Sequence, residues 1–200
     1  MRLTKGSVLA ALVIAGAMWA LSCGVRAGEL ARPDVSYRRG HRRRGSVGSV
    51  AFSPDGKYLA SGCRDQSAIL WDLSTGRVLH KFPGEEPVDA VTFGPEGRLL
   101  ASAGHDEEVT LRDVVTGRKV RRLSGHEGII WTLSFSPDGK LMASGSNDHT
   151  VKLWEVDTGR LVRTLSGHQR SVKRVVFLRD GKLLASGSVD GTVRIWNVST

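Results

Sequence analysis

Across residues 46–200, apolar residues alternate with polar ones or gather into short blocks, and the blocks recur. Phe52, Phe93, Phe135 and Phe177 are spaced 41, 42 and 42 residues apart, and Trp71, Arg112, Trp154 and Trp196 keep the same spacing. A turn follows each Phe: Ser53-Pro54-Asp55-Gly56, Gly94-Pro95-Glu96-Gly97, Ser136-Pro137-Asp138-Gly139 and Leu178-Arg179-Asp180-Gly181. An apolar block then ends in Ala60-Ser61, Ala101-Ser102, Ala143-Ser144 or Ala185-Ser186, and four residues after each Ser stands Asp65, Asp106, Asp148 or Asp190. Thr-Gly-Arg recurs at 75–77, 116–118 and 158–160. Four copies in register are a true internal repeat.

Each copy reads as four short strands. In the third copy they are expected at 129–136, 141–146, 150–155 and 160–165. Asp138-Gly139 is expected to close the first hairpin as a two-residue turn, and Thr158-Gly159 the third, because Gly accepts the positive φ such turns need. Blocks such as Val151, Leu153 and Val156 suit a sheet covered on both faces. A four-stranded sheet of this size cannot bury its faces alone. It must stack on its neighbours, and radial stacking of such units makes a β-propeller. The expected fold is therefore all-β.

Composition narrows the classes. The 200 residues are 40% hydrophobic and 24% charged, which excludes a mostly disordered chain and a polytopic membrane protein. Gly is abundant at 24 residues but has no three-residue period, so the glycines serve turns rather than a collagen helix. Two cysteines neither staple a small scaffold nor build a four-cysteine zinc site. The formal charge of +9 is uneven. Arg2, Lys5 and Arg26 supply +3, Arg38, Arg39, Arg42, Arg43 and Arg44 supply +5, and the rest is nearly balanced. That is not a uniformly basic nucleic-acid surface.

The start of the chain looks like an address. Arg2 and Lys5 precede an unbroken apolar run from Val8 to Leu21, and Val25-Arg26-Ala27 resembles a signal-peptidase site. Residues 1–27 are expected to be a signal peptide cleaved before Gly28. The alternative is a membrane anchor, since residues 6–25 carry no charge and are long enough to span a bilayer. A lipoprotein site at Cys23 is a third reading, for which Leu21 is a poor fit. All three make the protein exported. With residues 1–27 removed, Cys63 is the remaining cysteine and no internal disulfide can form.

Gly125-His126, Ser144, Asp148 and Trp154-Glu155 in the third copy, and Gly167-His168, Ser186, Asp190 and Trp196-Asn197 in the fourth, resemble the WD-repeat signature. The resemblance covers about 40–200 and implies a β-propeller of antiparallel four-stranded blades that binds other proteins without catalysis. It implies a structural network of His126, Ser144, Asp148 and Trp154, of His168, Ser186, Asp190 and Trp196, and of Ser61, Asp65 and Trp71. A hydrolase triad built from His126, Ser144 and Asp148 is disfavoured, because the set recurs beside the same Trp. The second copy departs from the pattern, with Glu85 for His and Arg112 for Trp, and is expected to be the least stable blade. In the first copy Gly40-His41 comes two residues early, before Arg42, Arg43 and Arg44.

The implied organisation is a basic lead-in at 28–45, then repeats at 46–84, 85–125, 126–167 and 168–200, the last lacking its final strand. Residues 33–38 are a candidate latch strand for that last blade. The four blades form a closed ring, an open arc that self-associates, or a shortened relative of a longer propeller.

By the same resemblance one rim is lined by residues near each first strand and before each turn Asp. Four before the Phe stand Gly48, Asp89, Trp131 and Lys173, six before it Ser46, Pro87, Ile129 and Ser171. Before the aspartates stand Arg64, His105, Asn147 and Val189. These positions differ between copies while the framework repeats. The expected binding rim is Trp131, Lys173, Asp89, Ile129, Arg64, His105 and Asn147, with Trp131 as anchor. No cofactor and no metal site are expected, since the histidines show no close ligand cluster. The arginine run 38–44 reads as a solvated segment or as a contact to anionic lipid or polysaccharide, with nucleic acid disfavoured because Tyr37 alone could stack. The leading function is a non-enzymatic, exported scaffold for a protein or peptide. The alternatives are an envelope hydrolase or lyase, with Asp89 and Lys173 as its channel groups, and a fragment without a role of its own.

Overall fold

The computed structural model describes His41 and residues 45–198. The first sheet holds β1 (Val47–Phe52), β2 (Tyr58–Cys63), β3 (Ser67–Asp72) and β4 (Val78–Pro83). The second holds β5 (Val88–Phe93), β6 (Leu99–Gly104), β7 (Glu108–Asp113) and β8 (Lys119–Ser124), and the third β9 (Ile130–Phe135), β10 (Leu141–Ser146), β11 (Val151–Glu155) and β12 (Leu161–Leu165). The fourth has three strands among the described residues: β13 (Val172–Phe177), β14 (Leu183–Ser188) and β15 (Val193–Asn197). Consecutive strands in each sheet pair antiparallel, as in β9–β10–β11–β12. The described residues contain no helix. The signal or anchor segment, the latch strand at 33–38, and Arg38, Arg39, Arg42, Arg43 and Arg44 lie outside the described residues.

The first hairpin of each blade differs from the expected two-residue turn. In the third blade the Ser136 amide donates to the Leu141 carbonyl at 2.8 Å and the Gly139 amide to the Ser136 carbonyl at 2.9 Å. Pro137 and Asp138 therefore occupy the centre of the turn, where proline's fixed φ fits. Gly139 follows it at φ +71° and returns the chain into β10. The Ser136 hydroxyl donates to Asp138 at 2.6 Å and accepts the Leu141 amide at 2.9 Å, so the turn is closed twice.

Sheets bury their faces against one another in chain order. Ala60, Ala68 and Leu70 of the first meet Val91, Phe93, Leu100 and Val114 of the second. Ala101, Val109, Leu111 and Leu123 of the second meet Ile130, Met142, Trp154 and Val156 of the third. Ala143, Val151, Leu153 and Leu165 of the third meet Val172, Val175, Phe177 and Leu184 of the fourth. Hydroxyls stitch the innermost strands across the first and the third of these joints. Val91 N donates to Ser49 Oγ at 3.2 Å, Val175 N to Thr132 Oγ1 at 3.2 Å and Phe177 N to Ser134 Oγ at 3.3 Å. Each such bond gives a strand amide a partner outside its own sheet.

The innermost strands share a second feature. Pairing slips by one residue near the start of β1, β5, β9 and β13, between Val47 and Ser49, Val88 and Ala90, Ile130 and Thr132, and Val172 and Arg174. The extra residues are Gly48, Asp89, Trp131 and Lys173. A β-bulge re-aims the side chain it inserts, and here all four stand at equivalent places in their blades.

Close approach decides one glycine. A Cβ on Gly104 would lie 2.0 Å from the Pro87 carbonyl oxygen, whereas one on Gly187 would have nothing within 4 Å. Gly104→Ala should therefore lower stability by about 2–3 kcal/mol, and Gly187→Ala should change it by less than about 0.5 kcal/mol. Urea unfolding of the two variants checks this, and equal losses would contradict it.

Candidate functional site

Two sets of polar residues stand out, one inside the blades and one where the bulges meet. In the third blade Trp154 Nε1 donates to Ser144 Oγ at 2.8 Å, Ser144 lies 2.7 Å from His126 Nε2, and His126 Nδ1 lies 2.6 Å from Asp148. The proton positions follow by elimination. An ionised carboxylate only accepts, so Nδ1 carries a proton, and in the neutral imidazole Nε2 is then the acceptor. The Ser144 hydroxyl then donates to Nε2 and its lone pair receives the indole N–H. Every polar atom of the chain is satisfied. Burial alone would raise the Asp148 carboxyl, but hydrogen bonds from His126 and Thr150 hold it well below the usual carboxylate range. The fourth blade repeats the set through Trp196, Ser186, His168 and Asp190 at 2.8 Å for each link. Thr192 holds the Asp190 carboxyl low.

The first blade completes the same relay with a residue the repeat spacing missed. Trp71 Nε1 donates to Ser61 Oγ at 3.0 Å, and His41 reaches Ser61 through Nε2 at 2.8 Å and Asp65 through Nδ1 at 3.2 Å. The signal was the Gly40-His41 pair, displaced two residues from its expected offset. The same fold gathers His41, Cys63 and Asp65, whose ligand atoms lie within 4.8 Å of one another. A close ligand-type cluster thus forms where the sequence pointed to none. Both imidazole nitrogens are engaged by Ser61, Asp65 and Ser67, and Cys63 Sγ accepts the Asp65 amide at 3.4 Å.

Blade two substitutes its own chemistry. Arg112 Nη1 donates to Ser102 Oγ at 3.4 Å, taking the place of the indole N–H, and its guanidinium sits 4.7 Å from the Phe82 ring centre. Burial works against the charge of Arg112, and Asp106 counters that effect. Asp106 is itself pushed up by burial. Ser144 has no exposed surface and is closed to a substrate.

The second set lies where the bulges converge. Each bulge is fixed by the same backbone bond, from the residue before the turn Asp to the residue at the start of the inner strand. These are Arg64 to Ser46 at 3.0 Å, His105 to Pro87 at 3.0 Å, Asn147 to Ile129 at 2.8 Å and Val189 to Ser171 at 3.0 Å. Ser46, Gly48, Arg64, Asp89, Trp131, Lys173 and Arg174 line a cavity of about 330 Å³. Asp89, nearly buried, has Arg64 Nε 3.5 Å from Oδ1 and His105 Nε2 3.1 Å from Oδ2. The second approach has the distance of an ion pair without hydrogen-bond alignment, and both atoms lack a hydrogen-bond partner among the described residues. His105 meets Trp131 edge to face at 6.2 Å, and Lys173 Nζ caps the Trp131 ring at 3.2 Å. Burial pushes the Lys173 amine down, with the Asp89 charge opposing. The buried Trp131 Nε1 also lacks a partner among the described residues.

Of the seven rim residues expected from sequence, Trp131, Lys173, Asp89, Arg64 and His105 therefore come together. Ile129 and Asn147 are joined to each other by their backbone bond, and Asn147 Oδ1 accepts the Ser171 hydroxyl. Neither lines the cavity. Arg174 does, although strict alternation puts it on the face opposite Lys173. The bulge between Val172 and Arg174 removes that opposition.

Comparison with known proteins gives a family. The family model described as WD domain, G-beta repeat, matches residues 34–72, 76–113, 117–155 and 159–197. The last three windows run one strand out of phase with the sheets, taking in the outer strand of the preceding blade. A stretch of 46 residues, 23% of the chain, is 46% identical to 14% of the small ribosomal subunit protein RACK1 of Caenorhabditis elegans. Another of 44 residues, 22% of the chain, is 50% identical to 5% of protein HIR1 of Kluyveromyces lactis. A third of 52 residues, 25% of the chain, is 40% identical to 11% of pre-mRNA-processing factor 17 of Saccharomyces cerevisiae. The chain thus matches only a small part of these curated relatives.

The relays generate a comparison. Trp154→Ala removes a buried ring and strands Ser144 and His126, and should cost about 3–5 kcal/mol. Arg112→Ala removes one long hydrogen bond and one cation–π contact, and should cost about 1–2 kcal/mol. Thermal unfolding of both variants tests the assignment, which equal losses would sink.

Proposed function

The chain belongs to the WD-repeat family, and from that membership we propose that it is a non-enzymatic scaffold that docks a protein or peptide on the Trp131 cavity. One observation carries the reading. Residues that vary between blades, one or more from each blade, converge on a single cavity, while the relay residues that repeat stay inside. Trp131 offers a large ring and an indole N–H with no internal partner among the described residues, the features of an interface anchor. Arg64, Lys173 and Arg174 outnumber Asp89 around it, so the partner group that fits is acidic. The envelope-enzyme reading needs a free acid and base, and Asp89 and Lys173 are occupied by Arg64, His105 and Trp131.

Trp131→Ala should weaken capture of a partner by at least about thirtyfold while leaving the unfolding midpoint nearly unchanged. Lys173→Glu should slow association and reduce its salt dependence. Pull-down from an envelope extract, read beside thermal unfolding, separates the outcomes. Loss of folding in Trp131→Ala would make the ring core, and unchanged capture in both variants would move the binding surface elsewhere.

We further propose that the chain is exported, with residues 1–27 as a cleaved signal and residues 6–25 as an anchor in the alternative. The uncharged run from Val8 to Leu21 supports this. Replacing Leu12 and Val13 by Asp should block insertion, since each charge in such a run costs about 2.5–3.5 kcal/mol. Fractionation of cells should then find the variant in the cytoplasm. A wild-type protein in the same fraction would refute export.

A further inference from the structure

We infer that two copies of this chain associate head to tail, the outer face of the fourth blade of one packing on the outer face of the first blade of the other. The surface is distinct from the Trp131 cavity and rests on a comparison of equivalent residues. At each joint the later blade offers the same three positions of its innermost strand. In the fourth blade these are Val172, Val175 and Phe177, packed in one cluster with the third. Their equivalents in the first blade are Val47, Val50 and Phe52, and all three are exposed. Phe52 is 66% exposed, whereas Phe93 and Phe177 are 7% and 8% exposed. The bulge after Val47 aligns the three on one side, as in the other blades.

The earlier blade of each joint offers two positions of its third strand. They are Ala68 and Leu70, Val109 and Leu111, and Val151 and Leu153, all buried. In the fourth blade they are Val193 and Ile195, 73% and 63% exposed. The two open faces therefore present the inner-strand and third-strand positions of a joint that the protein already makes three times. Apolar surface of this kind marks an interface. A face of the first type fits a face of the second, and the second copy supplies both.

The halves differ between the ends of the chain, so the contact is heterologous and either closes or propagates. Two copies closing on each other form two such joints and leave neither face open. The pair then holds eight blades, within the range of closed propellers. This joint differs from the one between the third and fourth blades in two respects: the fourth blade has no described outer strand to supply a counterpart of Leu165, and its inner strand lacks the hydroxyls. Arg174 and Val176 stand where Thr132 and Ser134 present hydroxyls to the next blade. The pairing is thus held by apolar contact without those stitches and is weaker than the joint between the third and fourth blades.

The experiment is sedimentation equilibrium of the full chain in density-matched detergent. Wild type should have twice the mass of one chain. Phe52→Glu and Ile195→Lys each place a charge in both joints of the pair, so each should weaken association by about a hundredfold or more. Mixed one to one, the two variants should pair again. One joint of the mixed pair is then wild type, and the other sets the introduced carboxylate of one copy against the introduced amine of the other. That rescue is specific to head-to-tail packing, because like faces meeting would leave an unpaired charge in each joint. Circular dichroism confirms that each variant keeps its sheet content, and Val115→Glu, an exposed change on neither face, is the control for folding and mass. A wild-type monomer at the highest concentration reached, open-ended polymers, or no rescue in the mixture would each overturn the inference.

Discussion

The structure depends on the fact that none of its sheets can bury both faces by itself. Strands of five or six residues make sheets too small for an independent core. Each blade is ordered by its neighbours, with Leu111 and Leu153 as buried as any residue of a larger domain. The size of the side chains at the joints is set by this stacking. Phe93 and Phe177 fill the space opened by Ala60 and Ala143 in the preceding blade, a large residue facing a small one, which is how two sheets interdigitate at protein density.

Within that frame the polar relays satisfy the interior of the blade and fix its turns. The indole, the serine, the imidazole and the carboxylate are linked so that removing one leaves the next unpartnered. The second blade shows that the requirement is for hydrogen bonding and volume rather than for one residue type. Arg112 supplies a donor to Ser102 and covers Phe82, and that blade is held by joints on both sides.

Much of this was written in the sequence because it repeats. The positions of the strands follow from the period of about 42 residues, and Ser144, Asp148 and Trp154 stand at fixed offsets that a second and third copy make visible. What was not legible arises where the period is broken. His41 is displaced by two residues, and the structure brings it back to Ser61 because the ring needs a partner more than the loop needs a set length. The hairpin turns are longer than the Asp-Gly pair implied, because Pro137 fits the centre of an ordinary turn. The bulges were invisible, since a slip of pairing depends on the partner strand. They explain why Arg174 joins Lys173 and why Trp131 meets His105.

The bulges have one more consequence. Stability in stacked repeats is a sum over units and nearest-neighbour joints, so the first and fourth blades, each held by one internal joint, open more readily than the second and third. The cavity takes Arg64 from the first blade and Lys173 from the fourth. Its occupant therefore spans all four units and opposes fraying at both ends. Filling the cavity would slow amide exchange in β1 and β13, far along the chain from each other, making ligand and fold cooperative in a molecule whose blades are otherwise coupled only pairwise.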